Sequence, residues 1–109
     1  MNLSETEFNS LVDETLLKIE TALERSEAEL DFESASGILQ ISFDDGSKII
    51  VNRQTPNREI WVAARAGGFH FRLENGDWRG TRDGRELFAV LSECASQQAR
   101  EAVDLTPLA

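Results

Sequence analysis

Apolar residues recur at steps of three and four positions near both ends of the chain, which is the spacing of amphipathic helices. The first stripe runs from Ser4 to about Arg25, and the second runs from Leu87 to about Arg100. Ser4 and Glu7 have the spacing of a capping box, in which each side chain binds the other residue's backbone N–H group. The pattern therefore predicts one helix near each end of the chain.

Between the two stripes, apolar and polar residues alternate in short runs, which is typical of strands with one buried face. Residue pairs that favour turns separate these runs, and a short strand around Trp78 follows the last pair. The connections are too short for crossover helices, so we expect antiparallel hairpins. The turn pairs are Ser36-Gly37, Asp45-Gly46, Gly67-Gly68 and Asn75-Gly76.

The order of these elements predicts an α+β fold. We expect a two-layer sandwich, with an antiparallel sheet of five to six strands and the N- and C-terminal helices packed on one face. The other face of the sheet would be open to water. The segment after Val103, which contains Pro107, is expected to fray, as chain ends commonly do.

The composition restricts the classes of function. The chain has 109 residues, of which 40% are hydrophobic and 28% charged, so we expect a single domain over residues 1–109. Its formal net charge of -9 would repel a phosphate backbone, so nucleic-acid binding is not expected. No apolar stretch reaches the roughly 18 residues of a membrane span, and the acidic N-terminus does not resemble a signal peptide. We therefore expect a cytoplasmic protein that does not bind membranes.

The negative charge is concentrated in the first part of the chain. Residues 1–45 contain 12 acidic and 2 basic residues, whereas residues 46–109 contain 8 acidic and 9 basic residues. Four carboxylates lie away from the apolar stripe of the first helix, and three more alternate along the first strand on its outward face. We call these seven residues the acidic ridge: Asp13, Glu20, Glu24, Glu27, Glu29, Asp31 and Glu33.

The residues of the acidic ridge permit three interpretations. The ridge could be a solvated face that keeps the protein soluble, a weak metal-binding surface, or a docking surface for a basic partner. Carboxylates two residues apart on a strand stand roughly 6 to 7 Å apart, which is too far for all of them to enclose one ion. Such a ridge would bind hard cations loosely, through one or two carboxylates and water.

Trp61 is predicted to point away from the core, because Ile60 and Val62 on either side of it are apolar. An exposed tryptophan among polar neighbours resembles the anchor of a protein interface. Alternatively, the loop around Pro56 could cover the ring. The polar neighbours are Asn52, Gln54, His70 and Arg72.

The sequence offers little for catalysis. It contains no Gly-rich phosphate loop, no zinc-ligand spacing and no nucleophile with an obvious base, so we expect no catalytic residues. Cys94 is the single cysteine and lies on the apolar stripe of the second helix, where a buried core thiol is expected. His70 has no second histidine to join it as a metal ligand.

The order of several short motifs resembles the frataxin family, in particular its bacterial members, over nearly the whole chain. After the acidic first helix, residues 46–56 read GSKIIVNRQTP. They are followed by Ile60-Trp61, then by residues 67–71, which read GGFHF, and by Gln97-Gln98-Ala99 in the second helix. Thr21 and Arg25 depart from the family pattern, since bacterial relatives tend to carry acids there, and Glu59 stands where Gln usually precedes the apolar-Trp pair.

The resemblance implies an α-β sandwich protein of iron-sulfur cluster assembly. It implies weak binding of ferrous and ferric iron by the acidic ridge, and docking on the cysteine desulfurase and the iron-sulfur scaffold protein through that ridge together with Asn52, Gln54 and Trp61. Such a protein modulates cluster synthesis and is a monomer, with iron-dependent oligomerisation left open. The alternative is an iron donor, a metallochaperone or a ferroxidase-like protein. A ferroxidase usually needs Glu-x-x-His motifs on facing helices, and the sequence has none.

Overall fold

The computed structural model describes residues 3–107, which form two long helices and a six-stranded sheet. All neighbouring strands are antiparallel and follow the chain order, so the predicted α+β class is confirmed with six strands. A short 3-10 turn at Thr55–Asn57 joins the third and fourth strands. The elements are α1 (Glu5–Arg25), β1 (Asp31–Ala35), β2 (Ile38–Ser42), β3 (Lys48–Gln54), β4 (Glu59–Ala64), β5 (Gly67–Glu74), β6 (Asp77–Gly80) and α2 (Leu87–Ala99).

The start of α1 has the predicted capping box. Ser4 Oγ accepts a hydrogen bond from the backbone N–H of Glu7 at 3.1 Å, and the Glu7 carboxylate accepts one from the Ser4 N–H at 3.1 Å. These bonds satisfy backbone donors that have no partner inside the helix. They also lower the pKa of the Glu7 carboxyl below its ordinary value, because the backbone and hydroxyl of Ser4 stabilise the charged form.

The core lies between one face of the sheet and the two helices. Trp78 of β6 packs edge-on against Phe8 of α1, with ring centroids 6.0 Å apart, and its indole N–H donates to Thr15 Oγ1 at 3.0 Å. Cys94 is buried as predicted, and its burial raises the pKa of the thiol. The buried apolar residues of the strands are Leu39, Ile41, Ile49, Val51, Ile60, Val62, Phe71 and Trp78.

Gln98 is a buried polar residue on the core-facing side of α2. Its side-chain N–H groups donate to Ser47 Oγ at 3.0 Å and to the Lys48 carbonyl at 3.3 Å, while its side-chain oxygen accepts from the Arg65 backbone N–H at 3.1 Å. A buried amide is stable only when such partners satisfy it. Gln98 therefore ties α2 to two turns of the sheet.

Two expectations about the chain path were wrong. The turn between β4 and β5 lies at residues 65–66, one step before Gly67-Gly68, and Gly67 pairs with Ala64 inside the ladder. This register places Ile60 opposite Phe71, and both side chains are buried. A turn at Gly67-Gly68 would shift the register and separate these two core residues.

Within residues 103–107 the segment is held against α2 through Val103 and Leu105 and is not frayed, whereas residues 108–109 of the predicted frayed tail lie outside the described part of the chain. Val103 is 5% exposed and Leu105 is fully buried. Their backbone N–H groups donate to Ser96 Oγ and Ser92 Oγ, both at 2.9 Å. Because Val103 and Leu105 bury their side chains in the core and their N–H groups are bonded to α2, residues 103–105 are anchored to the fold.

Candidate functional site

The face of the sheet opposite the helices is the open face. Residues paired across antiparallel strands point to the same side, so the register identifies its members. Asn52 lies opposite Trp61, Trp61 lies opposite His70, and Gln54 lies opposite Glu59. The three residues predicted to contact a partner, Asn52, Gln54 and Trp61, therefore share this face, and all three are half-buried.

The Trp61 ring is fixed by two contacts. It stacks on the imidazole of His70, with ring centroids 4.2 Å apart and an interplanar angle of 7°. Its indole N–H donates to Glu59 Oε1 at 2.6 Å. Neither contact belongs to the loop around Pro56, so the ring is supported from within the sheet.

Glu59 also lies on this face, although its residue pattern in the sequence was not predicted to be functional. It is 4% exposed, Arg72 Nε donates to its Oε2 at 2.7 Å, and His70 Nδ1 lies 3.8 Å from its Oε1. Burial would raise the pKa of the Glu59 carboxyl, but the hydrogen bonds from Trp61 and Arg72 outweigh it, so the pKa lies below its ordinary value. The signal in the sequence was the i, i+2 spacing of Glu59 and Trp61, which puts both side chains on one face of a strand.

The acidic ridge runs from α1 through the following connection to β1. Its members are exposed, except for Glu20, which is half-buried. Asp31 and Glu33 lie opposite Ser42 and Gln40, which places them at the β1 edge of the open face. Glu29 was expected on the first strand, but β1 begins at Asp31, so Glu29 belongs to the connection.

Asp13 differs from the rest of the acidic ridge. Its carboxylate forms an ion pair with Arg53 Nη2 of β3, so a guanidinium of the same protein neutralises it. Among residues 3–107, the other six ridge carboxylates form no ion pair. The exposed negative charge therefore extends from Glu20 to Glu33 and does not include Asp13.

Further carboxylates lie close to the ridge. A cleft of about 680 Å³ is lined by Glu27 and Glu29 together with Asp44, Asp45 and Glu101. Asp45 is already engaged: hydrogen bonds from Ser47 and the ion pair with Arg65 hold the pKa of its carboxyl far below the ordinary value. Asp44 and Glu101 widen the negative region beyond the predicted residues, which only the folded arrangement of the β2–β3 turn and the end of α2 could show.

The described part of the chain contains no preformed metal cage. No group of three or more His, Cys, Asp or Glu side chains converges on one point within residues 3–107. Carboxylate oxygens nevertheless suit hard cations, which can bind through one or two of them and water. None of the helices in the described residues is long and apolar enough to cross a membrane.

Comparison with known proteins identifies relatives of this chain. A family model for the frataxin-like domain matches residues 1–101. A relative from Dechloromonas aromatica, called iron-sulfur cluster assembly protein CyaY, is 56% identical over 104 residues, which cover 94% of this chain and 99% of the relative. A protein of the same name from Vibrio cholerae is 42% identical over 102 residues, which cover 94% of this chain and 98% of the relative.

Solved structures agree with this assignment. The frataxin from Psychromonas ingrahamii is 35% identical, with a TM-score of 0.90 over 95% of this chain and 99% of that protein. A trimeric frataxin from Saccharomyces cerevisiae, described as complexed with ferrous iron, is 25% identical, with a TM-score of 0.68 over 93% of this chain and 90% of that protein. The resemblance found in the sequence motifs is confirmed, and this chain belongs to the frataxin-like family.

Proposed function

We propose that this protein is a non-catalytic, iron-binding regulator of iron-sulfur cluster assembly in the cytoplasm. It docks on the cysteine desulfurase and its scaffold protein through the acidic ridge and the open face, and so modulates cluster synthesis. The observation that carries the proposal is the run of six carboxylates from Glu20 to Glu33 with no ion pair within residues 3–107. The name shared by the curated relatives supports the pathway.

The ridge supports docking because its charge is available to a partner. Carboxylates already paired inside a protein attract a basic surface weakly, whereas unpaired ones steer it and form new pairs on contact. Asp31 and Glu33 sit at the edge of the same face that carries Trp61. A partner that pairs with the ridge can therefore also cover the tryptophan.

The same carboxylates support weak iron binding. Their oxygens are hard ligands, and the described residues offer no cage that would hold one ion tightly. The yeast relative described as complexed with ferrous iron supports iron as the metal. Because metal and partner use the same side chains, each should reduce the affinity for the other.

Salt dependence and competition test this proposal. Attraction between exposed charges is screened beyond about 8 Å at physiological ionic strength, so the affinity for the purified desulfurase should fall steeply from low to high salt. Ferrous iron added under anaerobic conditions should shift the backbone amide signals of Glu20–Glu33 and weaken desulfurase binding. An affinity that is the same at both salt concentrations would refute electrostatic docking, and iron-induced shifts confined to other regions would refute the ridge as the iron site.

The rival, a ferroxidase, has no comparable support. His70 is the one histidine of the chain, and it is stacked on Trp61 rather than placed beside the ridge carboxylates. Oxygen consumption after adding ferrous iron should match a protein-free control. Turnover above that control would restore the enzymatic alternative.

A further inference from the structure

The open face contains a buried carboxylate that neither iron binding nor ridge docking explains. Glu59 is 4% exposed, although it shares its side of β4 with Trp61 and not with the core residues Ile60 and Val62. Burying a carboxylate is unfavourable unless charged and hydrogen-bonded partners compensate. The partners of the Glu59 carboxylate therefore indicate its role.

Both oxygens of Glu59 are used to hold other side chains. Oε1 accepts from the Trp61 indole N–H at 2.6 Å, and Oε2 accepts from Arg72 Nε at 2.7 Å. The Trp61 ring is also stacked on His70 at 4.2 Å. The indole is thus fixed at its edge by Glu59 and across its face by His70, which reduces the side-chain entropy that a partner would have to remove on binding.

Glu59 also orients a charge beside the ring. Nε of Arg72 is bound to Glu59, which fixes the guanidinium at one nitrogen, and the Arg72 side chain is 63% exposed. The terminal amino groups of the guanidinium donate no hydrogen bond to any side chain or backbone of residues 3–107. They remain available to an acceptor on another molecule, in the planar geometry that suits a carboxylate.

We propose that Glu59 is a positioning residue of the docking face, which holds Trp61 and Arg72 as one rigid platform for an apolar side chain beside a carboxylate of a protein partner. This inference rests on the proposed function, since it concerns the face proposed to contact the desulfurase. It adds a positively charged group to a docking surface whose ridge is acidic. The β1 edge attracts basic groups, whereas the Arg72 side of the same face accepts an acidic one.

Three variants test the role of Glu59. Glu59→Ala removes both hydrogen bonds, and Glu59→Gln keeps an oxygen that can accept from Trp61. Glu74→Ala is the matched control, because the Glu74 side chain is exposed on the same side of β5 as Arg72 and its carboxylate makes no hydrogen bond or ion pair within residues 3–107.

The first measurement is the NMR signal and the hydrogen exchange of the two indole N–H groups. Trp78 is an internal reference, since its N–H donates to buried Thr15. In Glu59→Ala the Trp61 signal should move and exchange faster, while the Trp78 signal stays in place. In Glu59→Gln and Glu74→Ala the Trp61 N–H should remain protected. A Trp61 signal that Glu59→Ala leaves unchanged would overturn the inference.

The second measurement is the affinity for the desulfurase. Glu59→Ala should bind roughly fivefold to tenfold more weakly, Glu59→Gln within about threefold of wild type, and Glu74→Ala within about twofold. Wild-type affinity in Glu59→Ala, or an equal loss in Glu59→Gln with a protected indole, would overturn the positioning role. If Glu59→Ala does not fold, the shorter Glu59→Asp takes its place, because it draws the carboxylate back from the indole N–H: the Trp61 signal should move and the affinity should fall, and a released indole with wild-type affinity, or an unchanged Trp61 signal, contradicts the inference.

The outcomes separate this inference from the proposed function. If wild type binds in a salt-dependent manner and Glu59→Ala binds equally well, the positioning role fails and the proposed function stands. If wild type does not bind the desulfurase, the proposed function and the docking role of Glu59 both fail, whatever the indole signals show.

Discussion

Arg53 on β3 forms an ion pair with Asp13 on α1, 40 residues earlier in the chain. A second amino group of Arg53 donates to Asn9 Oδ1 at 3.0 Å, so one guanidinium clamps two turns of α1 against the sheet. This contact gives Asp13 a structural role. It also divides the acidic ridge into one carboxylate that is paired internally and six that face water.

Asp13 and Glu24 should therefore respond differently to loss of charge. Asp13→Asn should lower the free energy of unfolding, because it removes the charge that pairs with Arg53. The loss should be at most about 1 kcal/mol, because water screens the pair: the side chain of Asp13 is 67% exposed and that of Arg53 is 21% exposed. Glu24→Gln should leave stability unchanged and reduce iron binding. Denaturant unfolding and iron titration check the pair. Equal stability of both variants would show that the Asp13–Arg53 pair contributes nothing.

Charge reversal at the β1 edge should weaken binding without unfolding the protein. The double variant Asp31→Lys, Glu33→Lys should bind the desulfurase roughly tenfold more weakly and should also bind iron more weakly. Its thermal stability should be equal or higher, because repulsion within the ridge is relieved. Calorimetric titration gives both affinities, and thermal unfolding gives the stability.

The control for this experiment reverses two carboxylates away from the ridge, Glu93 on α2 and Asp104 after it. Both are exposed, and the double control changes the net charge by the same amount. If the control loses as much affinity as the ridge variant, overall charge drives the association and the ridge has no special part in it.

Trp61→Arg should distinguish partner binding by the open face from iron binding by the acidic ridge. The substitution lies outside the acidic ridge, so iron titration should give the wild-type affinity. Desulfurase binding should weaken by at least about tenfold, as for a buried aromatic anchor at an interface. The mutant must first show a wild-type circular dichroism spectrum. Normal partner binding in that folded mutant would mean that Trp61 only supports the sheet.

Gly37 should be less tolerant of substitution than Gly46, although both have a positive φ. Gly37 has a φ of +79°, and an added Cβ would lie 2.9 Å from Arg53 Nε, whereas a Cβ at Gly46, with a φ of +86°, meets no atom within 4 Å. Gly37→Ala should lower the free energy of unfolding by about 1 to 3 kcal/mol, and Gly46→Ala by less. Urea unfolding of both variants is the measurement. A larger loss in Gly46→Ala would contradict the proposed contact with Arg53.

The loss of folding stability at acid pH should depend on Glu59. Because the pKa of its carboxyl is lowered by folding, the unfolded chain takes up a proton at higher pH than the folded chain does. Its contribution is therefore complete above the ordinary carboxyl pKa and is lost as the pH falls through the lowered value. In Glu59→Gln, stability should decline less than in wild type as the pH falls below the ordinary carboxyl pKa. Parallel curves for both proteins in denaturant unfolding would argue against this coupling.

Local features of this protein were determined by its sequence. The capping box of Ser4 and Glu7, the alternation of buried residues along the strands and the Ser36-Gly37 turn all depend on residues within a few positions of one another. Spacing alone specifies such features, because the helix and strand periods decide which side chains share a face. The same residue spacing correctly predicted that Trp61 lies on the open face and Cys94 in the core.

Only the tertiary structure decided how distant charges are matched. The ion pair of Asp13 with Arg53 depends on how α1 packs on β3. The burial of Glu59 under Trp61 and Arg72 depends on the pairing of β4 with β5. The burial of Leu105 likewise depends on a space that exists only after α2 has packed on the sheet. The sequence therefore determined where carboxylates occur, whereas the fold decided which of them are neutralised, because pairing requires contact between groups that are far apart along the chain.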